Sequence, residues 1–364
     1  MNLSQPMKLS PDLFTPLTRT PWAGRLIGGL YKKDILPASV HEPIGEAWEV
    51  SCDPDFPSQI LGHDVSLLEL IQQKPEAMLS PEYVHEHGAT CEILIKLLNA
   101  DDPLSVQVHP QDDDRYLKPE ECGKPESWLV LHAEPGAGLY LGFSKPVPTQ
   151  ELARMLEKDE DLRPFLQFVP VKPGDYFEIQ PGVPHAIGPG LVLLEPQRIV
   201  FGKSGKTYRF WDWGRRYDEH GRVDAAKGKP RPLHVTEALR IIRPAEQVGE
   251  NFVSTLRRQV TLQKPVDGLS CSIYPANDYY QVIRLDMQAS VSFLLEIERG
   301  FGTLVSLTGR FICQGLQGQS QRFVGGEPSF IPHQALPMIM RAEDDSSCVL
   351  VIPRGADFRV KPLQ

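Results

Sequence analysis

Gln107 and His109 stand two apart in the segment 105–110, SVQVHP. Successive side chains of a strand point to opposite faces, so these two share one face and Val106 and Val108 take the other. An amide oxygen beside a neutral imidazole is the beginning of a divalent-metal site. Two more ligand types lie downstream: Glu126 in the stretch 123–128, GKPESW, and His185 in 181–186, PGVPHA. Together they offer two nitrogens, one charged oxygen and one neutral oxygen. Such a set leaves a bound metal a fairly strong Lewis acid, suited to polarising a carbonyl or hydroxyl. Zinc, one ion per chain, is the metal expected if the four converge.

Each residue also has a plainer role. Gln107 and His109 fit the polar face of an exposed strand. Glu126 can pair with nearby Lys124, and His185 can serve a proline-rich turn as a hydrogen-bonding or capping group. Spacing alone does not choose between these roles and a metal centre.

The elements that must position these groups are mostly strands. Residues 46–51 alternate like a half-buried strand, and 93–98, ILIKLL, read as another. The Gln107/His109 strand runs into an acidic loop, Gln111 to Asp114. Residues 128–131 and 138–142 look like a strand pair. Strand signals return at Val169, at 176–179, at 191–195 and at 207–213, separated by Pro-Gly turns. Helical spacing is confined to three inserts, at about 62–80, 149–168 and 233–243. Pro75 is expected to end or closely follow the first, and Thr149 to cap the second. After Phe252 the chain reads as strands and turns. A short echo links 177–185 to 329–336; aligned on Pro181 and Pro332, it sets His185 against Leu336. Two related barrels are one source of such an echo, and a chance match of two proline turns is the other.

The 34 prolines among 364 residues agree with an all-β chain full of connections. The expectation is therefore a mainly β protein. The net charge of −9, with no basic tract, excludes nucleic acid as the expected partner. Apolar runs such as 191–194 are too short to cross a bilayer, so no membrane association is expected. The N-terminal stretch from Met1 to Lys8 lacks the apolar core of a signal peptide. Six scattered cysteines with no C-x-x-C pair suit free thiols in a reducing compartment. A cytoplasmic protein is expected. No signature of an oligomeric state is present.

A series of stretches resembles the type I mannose-6-phosphate isomerases. They are PWAG at 21–24, GEAW at 45–48, the segment 103–113, GKPESW at 123–128, and 172–185 from KPGD to the histidine. The series continues with LLEPQ at 193–197, TYR at 207–209 and LHV at 233–235. They occur in the family's order and span roughly residues 15 to 240; beyond about 250 only the general pattern is similar.

The resemblance implies antiparallel jelly-roll barrels of cupin type with α-helical insertions. On that reading residues 1–250 form a metal-binding domain, and 251–364 a second, degenerate cupin-like domain without metal. It implies zinc held by Gln107, His109, Glu126 and His185, and a sugar-phosphate partner. The implied reaction is interconversion of mannose 6-phosphate and fructose 6-phosphate through an enediolate. The family's active-site lysine and arginine match Lys124 and Arg209, and Trp22 falls among the implied substrate contacts. The chemistry needs a cation at the developing oxyanion, for which zinc and Arg209 are candidates. It also needs a proton carrier, for which Glu195, Lys124 and His109 are candidates.

One stretch departs from the family. Between Glu195 and Arg209 it reads QRIVFGKSGKT where a Gln-rich, Ser-Asp-containing run is usual. Lys203, Ser204 and Lys206 can hold a phosphate there. The same residues can form a solvated tip. A related or non-phosphorylated sugar therefore stands as an alternative substrate, and a sugar-binding protein without turnover as an alternative class.

Overall fold

The computed structural model describes residues 2–37 and 42–363; residues 38–41 and the outermost residues of the two expected domains, Met1 and Gln364, lie outside the described residues. The protein is mainly β, built as two stacked double-sheet sandwiches with helices laid over them. Its strands begin with β1 (Met7–Lys8), β2 (Glu46–Val50), β3 (Ile93–Ala100), β4 (Val106–Val108), β5 (Glu121–Cys122) and β6 (Glu126–Ala133). They continue with β7 (Gly138–Phe143), β8 (Leu166–Pro170), β9 (Tyr176–Ile179), β10 (His185–Ile187), β11 (Leu191–Arg198), β12 (Ser204–Gly205) and β13 (Tyr208–Trp211).

The first sandwich faces the sheet β2-β3-β11-β6-β9 against the sheet β13-β4-β10-β7-β8. Its interior is apolar, with Trp128, Leu139, Phe177 and Leu193 among its members. The outer face of the β4 sheet carries Val106, Val108 and Phe210 and is covered by Leu152 and Met155 of one helix and Ala238 of another. The outer face of the β3 sheet, including Ile95, Leu97 and Leu194, packs on Val282, Val305 and Val349 of the second sandwich. A sheet covered on both faces must be apolar on both, which is why β3 reads ILIKLL without alternation.

The second sandwich contains β14 (Thr261–Val266), β15 (Leu269–Ile273), β16 (Tyr280–Met287), β17 (Ser292–Glu298), β18 (Gly302–Thr308) and β19 (Arg310–Gly315). It is completed by β20 (Ser320–Val324), β21 (Pro328–Ile331), β22 (Met338–Ala342), β23 (Ser346–Pro353) and β24 (Asp357–Pro362). Its sheets run β1-β21-β18-β23-β16-β15-β14 and β20-β19-β22-β17-β24. Set aside the flanking β1 and β14, and the strand order repeats that of the first sandwich, with β16 in the place of β3, β22 of β10 and β23 of β11. His185 opens β10, opposite Gln107 and Leu141. Met338 opens β22, opposite Leu295 and Gly315. The register thus sets His185 against Met338, two residues beyond Leu336, because the turn His333–Ala335 intervenes. Where the first sandwich has Gln107 and His109, the second has Leu295 and Ile297, both buried.

Several elements differ from expectation. The strands at 126–133 and 138–143 are not partners: β6 pairs with β9 and β11, β7 with β8 and β10. The Pro135-Gly136 connection carries the chain from one sheet to the other. The first helical insert is α1 (Leu67–Gln73), α2 (Pro75–Leu79) and α3 (Pro81–His87), so it runs past residue 80. Pro75 starts a helix rather than only ending one, because the first helical position needs no N–H. The second insert is α-helical only in α4 (Thr149–Glu157), where Thr149 is the first helical residue and not the cap; a turn and a single 3-10 turn at Arg163–Phe165 then lead into β8 at Leu166. The third is α5 (Val235–Ile241). A helix absent from the sequence reading, α6 (Gly249–Leu256), packs Val253 and Leu256 into the first sandwich. Among the described residues, no helix is long and apolar enough to cross a membrane, and all six cysteines are free and buried.

Candidate metal centre and substrate cleft

β4 turns Gln107 and His109 inward, because Val106 and Val108 fill the outer core beneath the helices. The turn before β10 does the same for His185. Gly182 takes φ of +86°, a left-handed conformation that costs a glycine little, and its N–H donates to the His109 carbonyl at 2.8 Å. Glu126 reaches the same point by a close approach. A Cβ on Gly123 would lie 2.8 Å from the Pro110 carbonyl oxygen, so only glycine lets the GKPE segment lie along the Gln111–Asp112 turn.

The ligand atoms of His109, Glu126 and His185 all lie within 4.8 Å of one another. His109 Nε2 is 3.5 Å from Glu126 Oε2, and His185 Nε2 is 3.7 Å from Oε1. Gln107 joins them, its amide 3.3 Å from His185 Nε2. His109 Nδ1 donates to the Lys206 carbonyl at 3.0 Å, and His185 Nδ1 to the Val183 carbonyl at 2.8 Å. Those bonds leave each Nε2 with its lone pair aimed at the centre. His109 Nε2 and Glu126 Oε1 are buried and make no hydrogen bond. Buried polar atoms without partners are uncommon, and here they are the atoms a cation would satisfy. The residues therefore fit a divalent metal with mixed nitrogen and oxygen donors.

The electrostatics agree. Burial, then the neighbouring His109, pushes the His185 imidazole down to about 3, and burial with the Lys124 charge lowers His109. Both rings are neutral at neutral pH, as ligation requires. Burial opposes ionisation of Glu126, but the Lys124 ammonium outweighs it and holds the carboxyl well below the usual range. Lys124 Nζ sits 2.5 Å from Glu126 Oε2. Burial would lower the Lys124 ammonium, yet the Glu126 and Glu195 carboxylates prevail and raise it.

Beside this centre opens a cleft of about 880 Å³. Strand register builds its walls. Arg209 and His185 flank Gln107 across the β4 sheet. Glu195 stands opposite Lys96 in the other sheet. Lys96 Nζ lies 3.4 Å from Glu195 Oε1, and Trp128 Nε1 donates to Oε2 at 3.1 Å. Burial and the charge of Glu126 raise the Glu195 carboxyl. Arg209 Nε donates to Ser105 Oγ at 2.9 Å.

Gln107, Lys124, His185, Glu195 and Arg209 all line this cleft, as does Trp22. Lys203, in an exposed turn, and Ser204, at the exposed start of β12, also line it. Lys206 does not line it; its Nζ pairs with Glu121 at 3.0 Å, and its contribution is the carbonyl that orients His109. Lys96, Glu46, Arg19 and Arg231 also line the cleft and were not singled out in the sequence. Lys96 had a signal, a lone cation inside the apolar run 93–98; Arg19 and Arg231, in loops, had none.

Residues 24–131 match the family model of the type I phosphomannose isomerase catalytic domain. The chain is 31% identical over 273 residues to the mannose-6-phosphate isomerase of Streptococcus mutans, covering 74% of this chain and 76% of that protein. It is 28% identical over 301 residues to the probable mannose-6-phosphate isomerase GmuF of Bacillus subtilis, covering 80% and 86%. Among solved structures, mannose 6-phosphate isomerase from Bacillus subtilis superposes with a TM-score of 0.73 at 20% identity, over 95% of this chain and 99% of that one. A mannose 6-phosphate isomerase bound with zinc and yttrium gives 0.70 at 16% identity, over 96% and 99%. These structural likenesses show the fold, that of cupin-type sandwiches.

Proposed function

Because this chain belongs to the type I mannose-6-phosphate isomerases, and is an enzyme of that family, we propose that it interconverts mannose 6-phosphate and fructose 6-phosphate. The observation that carries the reading is the convergence of His109, Glu126 and His185 beside the cleft, with both Nε2 lone pairs directed inward. Zinc is the ion proposed, one per chain, held by those three and Gln107; zinc is what a structural neighbour holds. When bound, it supplies a Lewis acid that polarises a substrate oxygen.

The chain's own residues do the rest. The isomerisation moves a proton between C2 and C1 through an enediolate. Glu195 is proposed as the proton carrier, since burial and Glu126 favour its protonated form. Both ring nitrogens of His109 are committed, which removes it from that role. Lys124 neutralises Glu126, and Arg209 offers a guanidinium to the developing oxyanion. Trp22, Lys203 and Ser204 are proposed to contact the sugar phosphate. Residues 251–364 are proposed as the degenerate second domain, without metal. Free, buried cysteines suit the cytoplasm, where we place the reaction.

The test is a coupled assay on mannose 6-phosphate before chelation, after it, and after zinc is returned. Activity should vanish with the metal and come back with it, and solvent deuterium should enter at C2. Absent turnover, or turnover indifferent to the chelator, would overturn the reading.

A further inference from the structure

The cations of the cleft differ in what balances them. Lys96 has Glu195 and Lys124 has Glu126. Arg209 donates to Ser105 Oγ at 2.9 Å and to the Pro232 carbonyl at 3.4 Å, and among the described residues it forms no ion pair with a carboxylate. Arg231 donates from Nε and Nη2 to the two oxygens of Asp212, each at 2.8 Å. Asp212 also receives Arg215 Nη2 at 2.7 Å. Two guanidinium groups thus share one buried carboxylate and Arg209 stands near them without one, so the cluster of three carries a surplus of two positive charges. Burial first, and then the nearby charge of Arg231, push the Arg209 guanidinium down to about 10.

Arg231 is also a braced group. Its planar head lies over the Tyr217 ring, 5.1 Å from the centroid, and Asp212 fixes its Nε edge. Asp212 takes two of its five N–H donors; among the described residues Nη1 makes no hydrogen bond, so the Nη1 hydrogens and the second Nη2 hydrogen are left as a fork for a ligand. The chain leaves β13, folds back on itself with Tyr217 bridged to Lys229, and returns so that the His234 N–H meets the Arg209 carbonyl at 2.6 Å. That excursion delivers Arg231 to the cleft beside Arg209.

We infer that Arg231, held by Asp212, grips the phosphate group of the sugar substrate at the end of the cleft next to Arg209. A sugar phosphate carries close to two negative charges at neutral pH, with a second pKa of about 6, which complements the surplus. A guanidinium fork matches phosphate oxygens bidentately. A head already fixed by Asp212 loses little freedom on binding. The exposed side chains of Lys203 and of Ser204, at the start of β12, have no carboxylate brace among the described residues. The assignment rests on the isomerase reading and names which residue of that cleft selects a phosphorylated sugar.

The test is steady-state kinetics of the zinc-loaded full chain with mannose 6-phosphate, using inorganic phosphate as competitor. Arg231→Ala should raise KM and weaken phosphate inhibition, each by about tenfold or more, the scale expected for a lost charged hydrogen bond. Arg231→Lys should recover part of both. Bound zinc should stay at the parent value, while the unfolding midpoint is expected to fall because Asp212 loses one of its two ion pairs. Should Arg231→Ala fail to fold, Arg231→Gln takes its place. Values within twofold of the parent overturn the assignment, as does a larger KM effect from Lys203→Ala. A parent protein that does not turn over mannose 6-phosphate overturns the isomerase reading itself, which separates the two failures.

Discussion

Lys124 and Glu126, two residues apart, form a buried ion pair of 2.5 Å at the carboxylate that also faces both imidazoles. The ammonium and the candidate metal centre therefore balance the same charge. Removing one partner of a buried pair costs about 3–5 kcal/mol. Lys124→Ala should destabilise the chelated protein on that scale and the zinc-loaded protein much less. Urea unfolding with and without zinc measures the difference; equal losses in both forms would refute the shared balance.

His185 is held by its hydrogen bond to the Val183 carbonyl and by contact with the Gln107 amide, on an apolar core. His185→Ala should lose bound zinc while keeping the parent far-UV circular dichroism. Elemental analysis of the purified variant checks it. An unfolded variant would give His185 a structural role instead.

Arg209 is the cross-strand neighbour of Gln107, and its guanidinium bonds to Ser105 and to the Pro232 carbonyl. Arg209→Ala should keep its zinc and lose about 10²–10³ in kcat, the range for removing one oxyanion donor. Retained turnover would take Arg209 out of the mechanism.

Asp212 gives a pH test. Burial opposes its ionisation, but the hydrogen bonds and charges of Arg231 and Arg215 prevail and hold its carboxyl below the ordinary range. A carboxyl depressed in the folded state binds fewer protons there than in the unfolded chain. Its contribution is thus complete above the unfolded pKa of about 3.9 and is lost as pH falls through the folded value. Asp212→Asn should cost about 1–3 kcal/mol at neutral pH. The gap from the parent should narrow below about pH 4. Urea midpoints across that interval decide; a gap that widens toward acid contradicts the sign.

Met338 occupies the register position of His185 in the second sandwich, within an apolar core. Met338→Ala should cost about 2–5 kcal/mol of stability and leave zinc per folded chain unchanged. A fall in bound zinc among folded molecules would place a metal in the second sandwich.

Much of the fold could be read along the chain. Gln107 and His109 had to share a face because a strand alternates, and the positions of most strands followed from apolar runs between Pro-Gly turns. Where such reading failed, the missing quantity was a long-range pairing. Residues 128–131 and 138–142 look like partners because they are close in sequence, yet a turn of a few residues can cross between sheets as easily as within one. The helix at 249–256 is short, and its apolar face has meaning only against the first sandwich.

The site divides in the same way. The residue types at 107, 109, 126 and 185, with Lys124 and Arg209, were set by the sequence, since ligand chemistry belongs to the side chain. What only the tertiary structure decided is which atoms meet. The Lys206 ammonium turned to Glu121 while its carbonyl fixed His109, and Arg19 and Arg231 entered the cleft from loop positions that local pattern leaves unmarked. Convergence of distant segments depends on strand register and close backbone approach, and these are properties of the packed sheets rather than of any stretch of residues.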